Sequence, residues 1–309
     1  MPSDDNPIMR KRANDLRDEY ELIYAEPDPR AYFRVLHSLD YRLPELARPV
    51  FREVVRHAAA VRGASPKVLD VGCGFGANAA LMRYPVDLDR LAHRYRDLDS
   101  VDIDADRLMA LDRNYFASWP THLSADILGY DTAATAAAYA EGTGLVSRAI
   151  ATDLERDDLD AADRDAIADV NCVVSTGCAS YAGPRTFAAL FGAIGEALPW
   201  VAMFVLRTET FSELREFFEG RGLVVEKLTG VTFIQRRYHS AAEWTQALLN
   251  LETRGVSSSG KEGHGLMHAE LFIARPPADA AAWPLDAVVS VSSGSEAHYG
   301  GWRGRPWGT

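Results

Sequence analysis

Short apolar runs and amphipathic stretches alternate along most of this chain. The runs of strand length lie at 67–71, 125–131, 148–152, 170–174, 200–206, 223–228 and 268–274. Between most of them, apolar residues recur at the i, i+3 and i+4 positions of a helix. Strands that alternate with helices form a mainly parallel sheet with helices on both faces. The pattern therefore predicts an α/β fold with seven strands.

Three further segments lie outside this alternation. Residues 1–64 read as helical, with helices over 29–37 and 44–62, and predict an N-terminal helical cap. Amphipathic stretches at 87–96 and 104–117 predict a helical insertion over 85–122, and the helical spacing after Ser100 argues against a strand there. Residues 278–309, with Trp302 and Trp307, are expected to be a loosely held tail. The expected units are therefore 1–64, 65–277 and 278–309.

Three glycines at alternate positions follow the first strand. Gly72, Gly74 and Gly76 come directly before a helix-compatible stretch, which is the layout of a strand, a tight turn and a helix. Glycines let the backbone turn sharply and approach a bound molecule closely. Three of them within five residues cost chain entropy without adding to a core, so a turn without a ligand is the weaker interpretation.

Two kinds of ligand fit this turn. Gly72, Gly74 and Ala77 satisfy the G-x-G-x-x-G/A pattern of dinucleotide-binding folds. Asp70, two residues before the first glycine, disfavours a pyrophosphate because both would be negative. A carboxylate there favours a ligand with ammonium or sulfonium charge, and Gly76 as the third glycine points the same way.

The stretch from Val68 to Asn78 resembles motif I of the class I S-adenosyl-L-methionine (SAM)-dependent methyltransferases. That motif is a hydrophobic run, an acidic residue and then G-x-G-x-G. The resemblance covers roughly residues 64–276 and is strongest at motif I. It implies a Rossmann-like seven-stranded sheet whose last strand is antiparallel beside strand 5, SAM as cofactor, and an N-terminal cap over the site.

The resemblance also implies the cofactor contacts, because ligands of open α/β sheets lie at the carboxyl ends of the strands. An acidic residue after strand 2, here Asp131, would accept from the ribose hydroxyls, and Asp153 with the Leu154 amide would meet the adenine. Asp131 as a helix N-cap and Asp153 as a solvated loop carboxylate remain alternatives. The residues expected at the cofactor are Asp70, Gly72, Cys73, Gly74, Gly76, Asn78, Asp131, Thr132, Asp153, Leu154, Ser175 and Thr176.

Fewer residues suggest catalysis. Methyl transfer from a sulfonium can proceed mainly by positioning, and a base is needed only when the nucleophile arrives protonated. Tyr181 is the first candidate for contacting the substrate or the sulfonium through its ring. His239 and His268 are candidate bases that could equally be structural. Arg207, beyond strand 5, could hold a substrate carboxylate or form an ion pair.

Composition and charge narrow the function further. The net charge of −11 and the pI near 5.2 leave no basic excess for a nucleic-acid partner. Three cysteines without metal-ligand spacing indicate a reduced, cytoplasmic protein without a metal site. The N-terminus lacks an apolar signal region, and no apolar stretch is long enough to span a membrane. The expected partner is a small-molecule substrate, and a homodimer is compatible with the sequence.

The first hypothesis is therefore methyl transfer from SAM to a small molecule, as in secondary metabolism. A second keeps the cofactor but cyclises SAM to azetidine-2-carboxylate with release of methylthioadenosine. A third is a SAM-binding partner protein without catalysis, and a fourth is a nicotinamide-dependent oxidoreductase.

Overall fold

The strands of residues 22–291, the part of the chain that the computed structural model describes, form one sheet of eight strands. They are β1 (Lys67–Val71), β2 (Asp126–Tyr130), β3 (Ala149–Ile150), β4 (Cys172–Thr176), β5 (Trp200–Leu206), β6 (Val224–Lys227), β7 (Phe233–Arg237) and β8 (Leu266–Arg275). Seven of them follow the spatial order β3-β2-β1-β4-β5-β8-β6. The pairs from β3 to β5 are parallel, and β8 is antiparallel to both β5 and β6.

This topology confirms the predicted Rossmann-like α/β fold. The antiparallel strand expected beside strand 5 is β8, whose Ile273 pairs with Ala202. Because β1 and β4 are neighbours while the chain passes from β1 to β2 on the other side, the strand order reverses between them. Ligands of open α/β sheets bind at such a reversal, outside the carboxyl ends of the strands.

Three strands differ from the predicted bounds by two residues, and one of them, β8, begins two residues earlier than predicted, at Leu266. The predicted strand 170–174 begins two residues later, at Cys172, and ends at Thr176. Asp169, with a φ of 63°, turns the chain just before it, so the apolar Val170 belongs to the turn. The predicted strand 148–152 is reduced to Ala149–Ile150, because this edge strand pairs only with Gly129 and Tyr130 of β2.

The strand β7 was not predicted. It pairs with the first half of β8, while β6 pairs with the second half, so both strands share one edge of β8. The pairing shifts between Ile234, opposite His268, and Arg236, opposite Met267. Two steps along β7 thus correspond to one step along β8, which is a β-bulge at Gln235. The residues of β7, two apolar ones followed by three polar ones, do not alternate, so the pattern alone does not distinguish this strand from a loop.

Helices cover both faces of the sheet. Residues 22–25 end a first helix, α1. The others are α2 (Arg30–Ser38), α3 (Leu43–Arg62), α4 (Ala77–Arg83), α5 (Leu88–Asp99), α6 (Ala105–Ala117), α7 (Ala134–Gly142), α8 (Ala161–Ile167), α9 (Pro184–Ile194), α10 (Ser212–Gly220), α11 (Ala241–Thr253), α12 (Pro277–Ala282) and α13 (Leu285–Val288), with a 3₁₀ turn at Glu262–His264.

Local signals predicted most of these helices. The Ser240 hydroxyl accepts from the Glu243 amide at 3.2 Å, as its capping sequence predicts. The similar sequence at Thr210 does not cap α10, whose N-cap residue is Phe211 without a side-chain cap. The short helix α8 was not predicted. No strand forms in the predicted helical insertion, whose two helices are α5 and α6.

Alternate side chains of each strand point to opposite faces of the sheet, and the core therefore has two layers. Trp200, Ala202 and Phe204 of β5 pack on one face with the long helix α3, whose Phe51 ring lies 5.4 Å from that of Phe204. Val201 and its alternate neighbours pack on the other face with α9 and α10. Strands buried on both faces explain the continuous apolar runs of the sequence.

The helical insertion is joined to the rest of the fold by Asp112 of α6. This carboxylate is fully buried and accepts from the guanidinium of Arg94 at 2.7 and 2.9 Å. The hydroxyls of Tyr95 and Tyr139 each donate to its other oxygen at 2.7 Å. Helices α5, α6 and α7 therefore share one buried charge that is fully hydrogen-bonded.

The segment after β8 is more ordered than expected up to residue 291. Asp279 of α12 accepts from the Trp200 indole at 2.7 Å, and Val288 and Val289 are buried. Trp302 and Trp307 lie outside the described residues, as does most of the segment before α2. The division into a cap, a sheet domain and a tail stays a prediction. In residues 22–291, no helix is long and apolar enough to cross a membrane.

We predict that Asp112→Ala lowers the free energy of unfolding by about 3–5 kcal/mol, because it leaves Arg94 and two tyrosine hydroxyls buried without their acceptor. Asp106→Ala, at an exposed position of the same helix, should cost less than about 1 kcal/mol. Urea unfolding followed by circular dichroism measures both changes. Equal losses for the two variants would contradict the role given to Asp112.

Candidate functional site

A cavity of about 790 Å³ opens at the carboxyl ends of β1, β2, β4 and β5. Its floor is the turn Gly72–Gly74, and Asp131 to Thr135 and the segment from Thr176 to Tyr181 flank it. The opposite wall consists of β7, α11 and the loop after β5. Tyrosines of the N-terminal segment, Tyr24, Tyr32 and Tyr41, cover it from above.

The floor of the cavity requires glycine for two reasons: a Cβ atom would clash with neighbouring side chains, and the backbone has a positive φ. Gly72 has a φ of +83°, and a Cβ atom there would lie 2.7 Å from the hydroxyl of Tyr181. A Cβ atom on Gly74 would lie 3.0 Å from the ring of Tyr24. Two aromatic side chains thus rest on the turn itself. Gly76 has a different role, since a Cβ atom there would meet Leu145 in the protein interior.

Asp70 lies directly behind this turn. It is fully buried, and its Oδ1 accepts from the amide nitrogen of Asn78 at 3.0 Å. Its Oδ2 is buried with no hydrogen-bond partner in the described part of the chain. Burial, with a contribution from nearby Asp131, raises the pKa of Asp70 to about 7 against the opposing effect of Asn78. A cation or hydrogen-bond donor beside Oδ2 would stabilise the charged form.

Hydrogen bonds connect Asp70 with the tyrosines above the cavity. The Asn78 amide also donates to the Thr176 hydroxyl at 3.1 Å. The hydroxyls of Thr176 and Tyr32 lie near that of Tyr41, and burial raises the pKa of Tyr41 to about 12 against their opposing effect. The end of β4 and the N-terminal helices are therefore held around one buried carboxylate, and a change at Asp70 reaches all of them.

Asp131 is the second acid of the floor. Its Oδ2 accepts from the Gly74 amide at 2.8 Å and its Oδ1 from the Ala133 amide at 2.9 Å. Each oxygen keeps a lone pair for a ligand. Burial raises the pKa of Asp131, and the two amides oppose that rise. The residue therefore links the glycine turn to the β2–α7 loop, and it is not the helix N-cap that the sequence left open, because the N-cap residue of α7 is Ala133 without a side-chain cap.

The structure brings most of the predicted cofactor residues together. Those that line the cavity are Gly72, Cys73, Gly74, Asn78, Asp131, Thr132 and Thr176. Tyr181 also lines it and exposes 45 % of its surface. Ser175 lies beneath the cavity, where its hydroxyl is 2.6 Å from the sulfur of Cys178.

The two residues predicted for the adenine do not reach the cavity. Asp153 forms an ion pair with Arg156 at 3.4 Å and accepts from the Glu155 amide at 3.1 Å, as a loop carboxylate. The Leu154 amide donates to the hydroxyl of Tyr130 at 3.4 Å. The short strand β3 ends at Ile150, three residues before Asp153, and this explains their distance from the glycine turn.

The predicted substrate role of Arg207 is replaced by an internal one. Its guanidinium is buried, hydrogen-bonded to Glu262 and to the Ser257 carbonyl, and lies 3.6 Å from Glu270. These partners come from the segment before β8 and from β8 itself, more than fifty residues later in the sequence. The guanidinium does not line the cavity, because the 3₁₀ turn holds it.

The histidines are also outside the cavity. His239 is exposed at the start of α11, where its backbone amide donates to Glu243 at 2.7 Å. His268 is buried in β8 with its Nδ1 3.1 Å from the Thr232 hydroxyl. Burial, with Arg207 and Lys261 nearby, lowers the pKa of His268 to about 4, so its ring is neutral at pH 7.

Sequence reasoning missed one wall of the cavity. Glu243, Gln246, Ala247 and Asn250 of α11 line it at the i, i+3, i+4 and i+7 positions. Gln235 and Arg236 line it together although they are neighbours, because the bulge in β7 turns both toward one side. Polar residues at helical spacing ordinarily lie on a solvent-exposed face. The sequence of α11 therefore did not indicate that its polar residues line a cavity.

All three cysteines are buried and free of disulfides. Burial raises the pKa of each thiol, which keeps them uncharged. Cys73 packs over Gly129, where a Cβ atom would lie 2.6 Å from its sulfur. Within residues 22–291, no group of three or more His, Cys, Asp or Glu side chains is placed to hold a metal ion.

Solved structures of similar shape include several methyltransferases. One is the plantazolicin methyltransferase BpumL in complex with SAH, at 14 % identity over 87 % of this chain and 99 % of that one, with a TM-score of 0.37. Magnesium protoporphyrin IX methyltransferase from Synechocystis PCC 6803 with bound SAM is 11 % identical over 76 % and 81 %, with a TM-score of 0.34. The YcgJ protein of Bacillus subtilis is 12 % identical over 72 % and 98 %, with a TM-score of 0.35.

Sequence comparison adds nothing to this likeness. No family model matches the chain, and no curated protein sequence does. At these identities and TM-scores, the activities of the similar structures do not carry over to this chain.

We predict that Asp70→Asn stabilises the ligand-free protein, by on the order of 2 kcal/mol at pH 8, because it removes a buried charge with an unsatisfied oxygen. In the folded protein the Asp70 carboxyl has a pKa of about 7, above the 3.8 of an ordinary aspartate, so the group keeps its proton at acid pH. The stability contributed by this group is therefore present at acid pH and is lost as the pH rises toward 7.

The gain from Asp70→Asn should consequently be larger at pH 8 than at pH 5. Thermal unfolding of both proteins at the two pH values measures it, with Asp106→Asn as the exposed control. A gain that is the same at both pH values, or a loss at pH 8, would show that Asp70 is not a buried carboxyl of raised pKa.

Proposed function

We propose that the protein is a SAM-dependent methyltransferase that acts on a small molecule. The observation that carries the proposal is the buried Oδ2 of Asp70 behind the glycine turn, which has no hydrogen-bond partner within residues 22–291. It is an acceptor without a donor, placed at the reversal of strand order where such sheets bind ligands. A ligand with a cationic amino-acid end would supply that donor.

The residues at the cavity fit this cofactor. Asp70 and Asn78 would hold the amino-acid end at the glycine turn, and Asp131 would hold the ribose hydroxyls with the lone pairs that its two amides leave. The rings of Tyr24 and Tyr181, which rest on Gly74 and Gly72, offer aromatic faces to a sulfonium charge. A pyrophosphate in the same place would face two acids, Asp70 and Asp131.

The size of the cavity supports two ligands. At about 790 Å³ it lies in the upper part of the range of small-molecule sites, about 300–1,000 Å³. The floor would hold the cofactor, and the space along β7 and α11 would hold the acceptor. SAM when bound supplies an electrophilic methyl group on a positively charged sulfur.

The chain's own residues would act chiefly by positioning. The tyrosines above the cavity exclude water from its floor, and the buried acids stabilise positive charge there. Of the predicted bases, neither His239 nor His268 lines the cavity. This favours a mechanism in which the substrate is held close to the methyl group and loses its proton to solvent or to a carboxylate.

Asp131→Asn should weaken binding of S-adenosylhomocysteine (SAH) by roughly tenfold or more, because a charged acceptor is lost while one oxygen remains for a backbone amide. Asp158→Asn, on the exposed loop before α8, is the matched control and should bind like the wild type. Isothermal titration calorimetry gives the dissociation constants. Unchanged affinity in Asp131→Asn would remove the ribose role from this residue.

Binding should also respond to pH through Asp70. A cationic ligand favours the ionised carboxylate, so the affinity for SAH should increase as the pH rises from 6 to 8, through the Asp70 pKa of about 7. Asp70→Asn should bind more weakly and lose most of this dependence. Calorimetry at both pH values tests it, and an affinity that falls with rising pH would contradict the pairing.

Incubation with SAM alone and with candidate acceptors distinguishes methyl transfer from other uses of SAM. Mass spectrometry of the nucleoside product should give SAH only when an acceptor is present. Methylthioadenosine formed from SAM alone would instead indicate cyclisation, and binding of SAM without turnover on any acceptor would indicate a non-catalytic partner protein.

A further inference from the structure

The cavity as a whole has an acidic charge balance, and its wall of β7, α11 and the loop after β5 carries Glu209 and Glu243 against Arg236. In the described residues, four charged side chains line the cavity: Asp131, Glu209, Glu243 and Arg236. Asp70, directly behind the floor, adds a further acid. Opposite charges lower the free energy of a ligand in a water-poor site, so this balance favours a cationic molecule over an anionic one.

The single cation of this lining is already neutralised. The guanidinium of Arg236 donates to both carboxylate oxygens of Glu243, at 2.6 and 3.2 Å, and to the Arg237 carbonyl at 2.9 Å. Arg207, the other arginine near the loop after β5, is held by Glu262. A substrate carboxylate would therefore have to displace an existing ion pair to find a positive partner.

The uncharged groups of the same wall favour hydrogen-bond donors. The Oε1 of Gln235 is buried with no hydrogen-bond partner within residues 22–291, and the side chain reaches over Gly177 at the end of β4. A buried acceptor without a donor is costly, and a ligand N–H group would satisfy it. The bulge in β7 is what places this amide at the cavity.

Glu209 completes the arrangement. It lies in the loop after β5, three residues beyond the end of the strand, and lines the cavity on the same wall as β7 and α11. Positive charge at this point would be shared by Glu209 and the floor acids.

We propose that the acceptor is a small amine, bound with its nitrogen toward Glu209 and Gln235. The inference rests on the proposed function, of which it names the substrate class. The bound ammonium first loses a proton to the Glu209 carboxylate or to solvent, which frees the lone pair of the nitrogen. Methyl transfer then forms an N–C bond and breaks the S–C bond, whose electron pair stays on sulfur, and the positive charge passes from sulfur to nitrogen.

Three probes of equal size and different charge test the proposal on the wild-type protein saturated with SAH. They are benzylamine, which is protonated at pH 7.5, benzyl alcohol, which is neutral, and benzoate, which is anionic. Calorimetric titration should give benzylamine an affinity at least roughly tenfold above that of benzyl alcohol, since hydrogen bonds to charged groups are the stronger ones. Benzoate should bind more weakly than either. Benzoate binding as tightly as benzylamine would overturn the amine assignment.

Glu209→Gln locates the effect. It should lower the affinity for benzylamine roughly tenfold while leaving that for benzyl alcohol unchanged, because only the charge is removed. Glu252→Gln, at an exposed position half a turn away from Glu243 around α11, is the matched control and should leave both affinities unchanged. If Glu209→Gln lowers the affinity for both probes equally, the residue affects the shape of the cavity and does not bind the ligand's charge. This result would contradict the proposal.

These measurements distinguish a failure of the cofactor assignment from a failure of the amine assignment. If SAH does not bind but benzylamine is still preferred over benzoate, the cofactor assignment fails and the amine site stands. If SAH binds and the charge preference is absent, the proposed function stands and the substrate class is wrong. Should Glu209→Gln not fold, as judged by its melting temperature, the comparison of the three probes on the wild type still decides the outcome.

Discussion

A carboxylate buried at the end of the first strand is the constraint on which the site depends. Asp70 has one oxygen bonded to Asn78 and one without a partner in the described chain, and its surroundings raise its pKa to about 7. An acid in that position lowers the stability of the ligand-free protein at neutral pH. Such a residue is best explained by a bound molecule that supplies the missing positive charge.

The rest of the cavity is arranged around this acid. The glycine turn exposes backbone where tyrosine rings can rest, and Asp131 ties that turn to the end of β2. Hydrogen bonds of Asn78 connect the acid with Thr176, whose hydroxyl lies near that of Tyr41 beside the N-terminal helices. The cover of the site and its floor are thus parts of one polar network, so occupancy of the floor would affect the order of the cover.

The sequence predicted those site residues whose positions are fixed by their immediate neighbours in the chain. The glycines, Asp70 and Asp131 were recognised because a strand followed by a turn fixes their placement at the sheet edge. Strand β7 was missed because it forms by pairing with β8 more than twenty residues later, and the cavity face of α11 was missed because its polar residues resemble a solvent face. For Arg207 the sequence left a substrate carboxylate and an ion pair open, because its partner Glu262 is distant in sequence and only the fold brings the two together.

The expected adenine contacts show where the family resemblance is less informative than the local sequence. Family resemblance placed them at Asp153 and Leu154, but the short β3 and the ion pair with Arg156 leave both away from the cavity. Resemblance is informative where the backbone itself forms the contact and less so where one side chain does.

A crystal structure of the protein grown with SAH tests the central claim most directly. The account predicts density for the nucleoside along the Gly72–Gly74 turn, with its amino group beside Asp70 and its ribose hydroxyls on Asp131. A cleft that stays empty at saturating SAH, or that takes a nicotinamide dinucleotide with its pyrophosphate on the same turn, would contradict it.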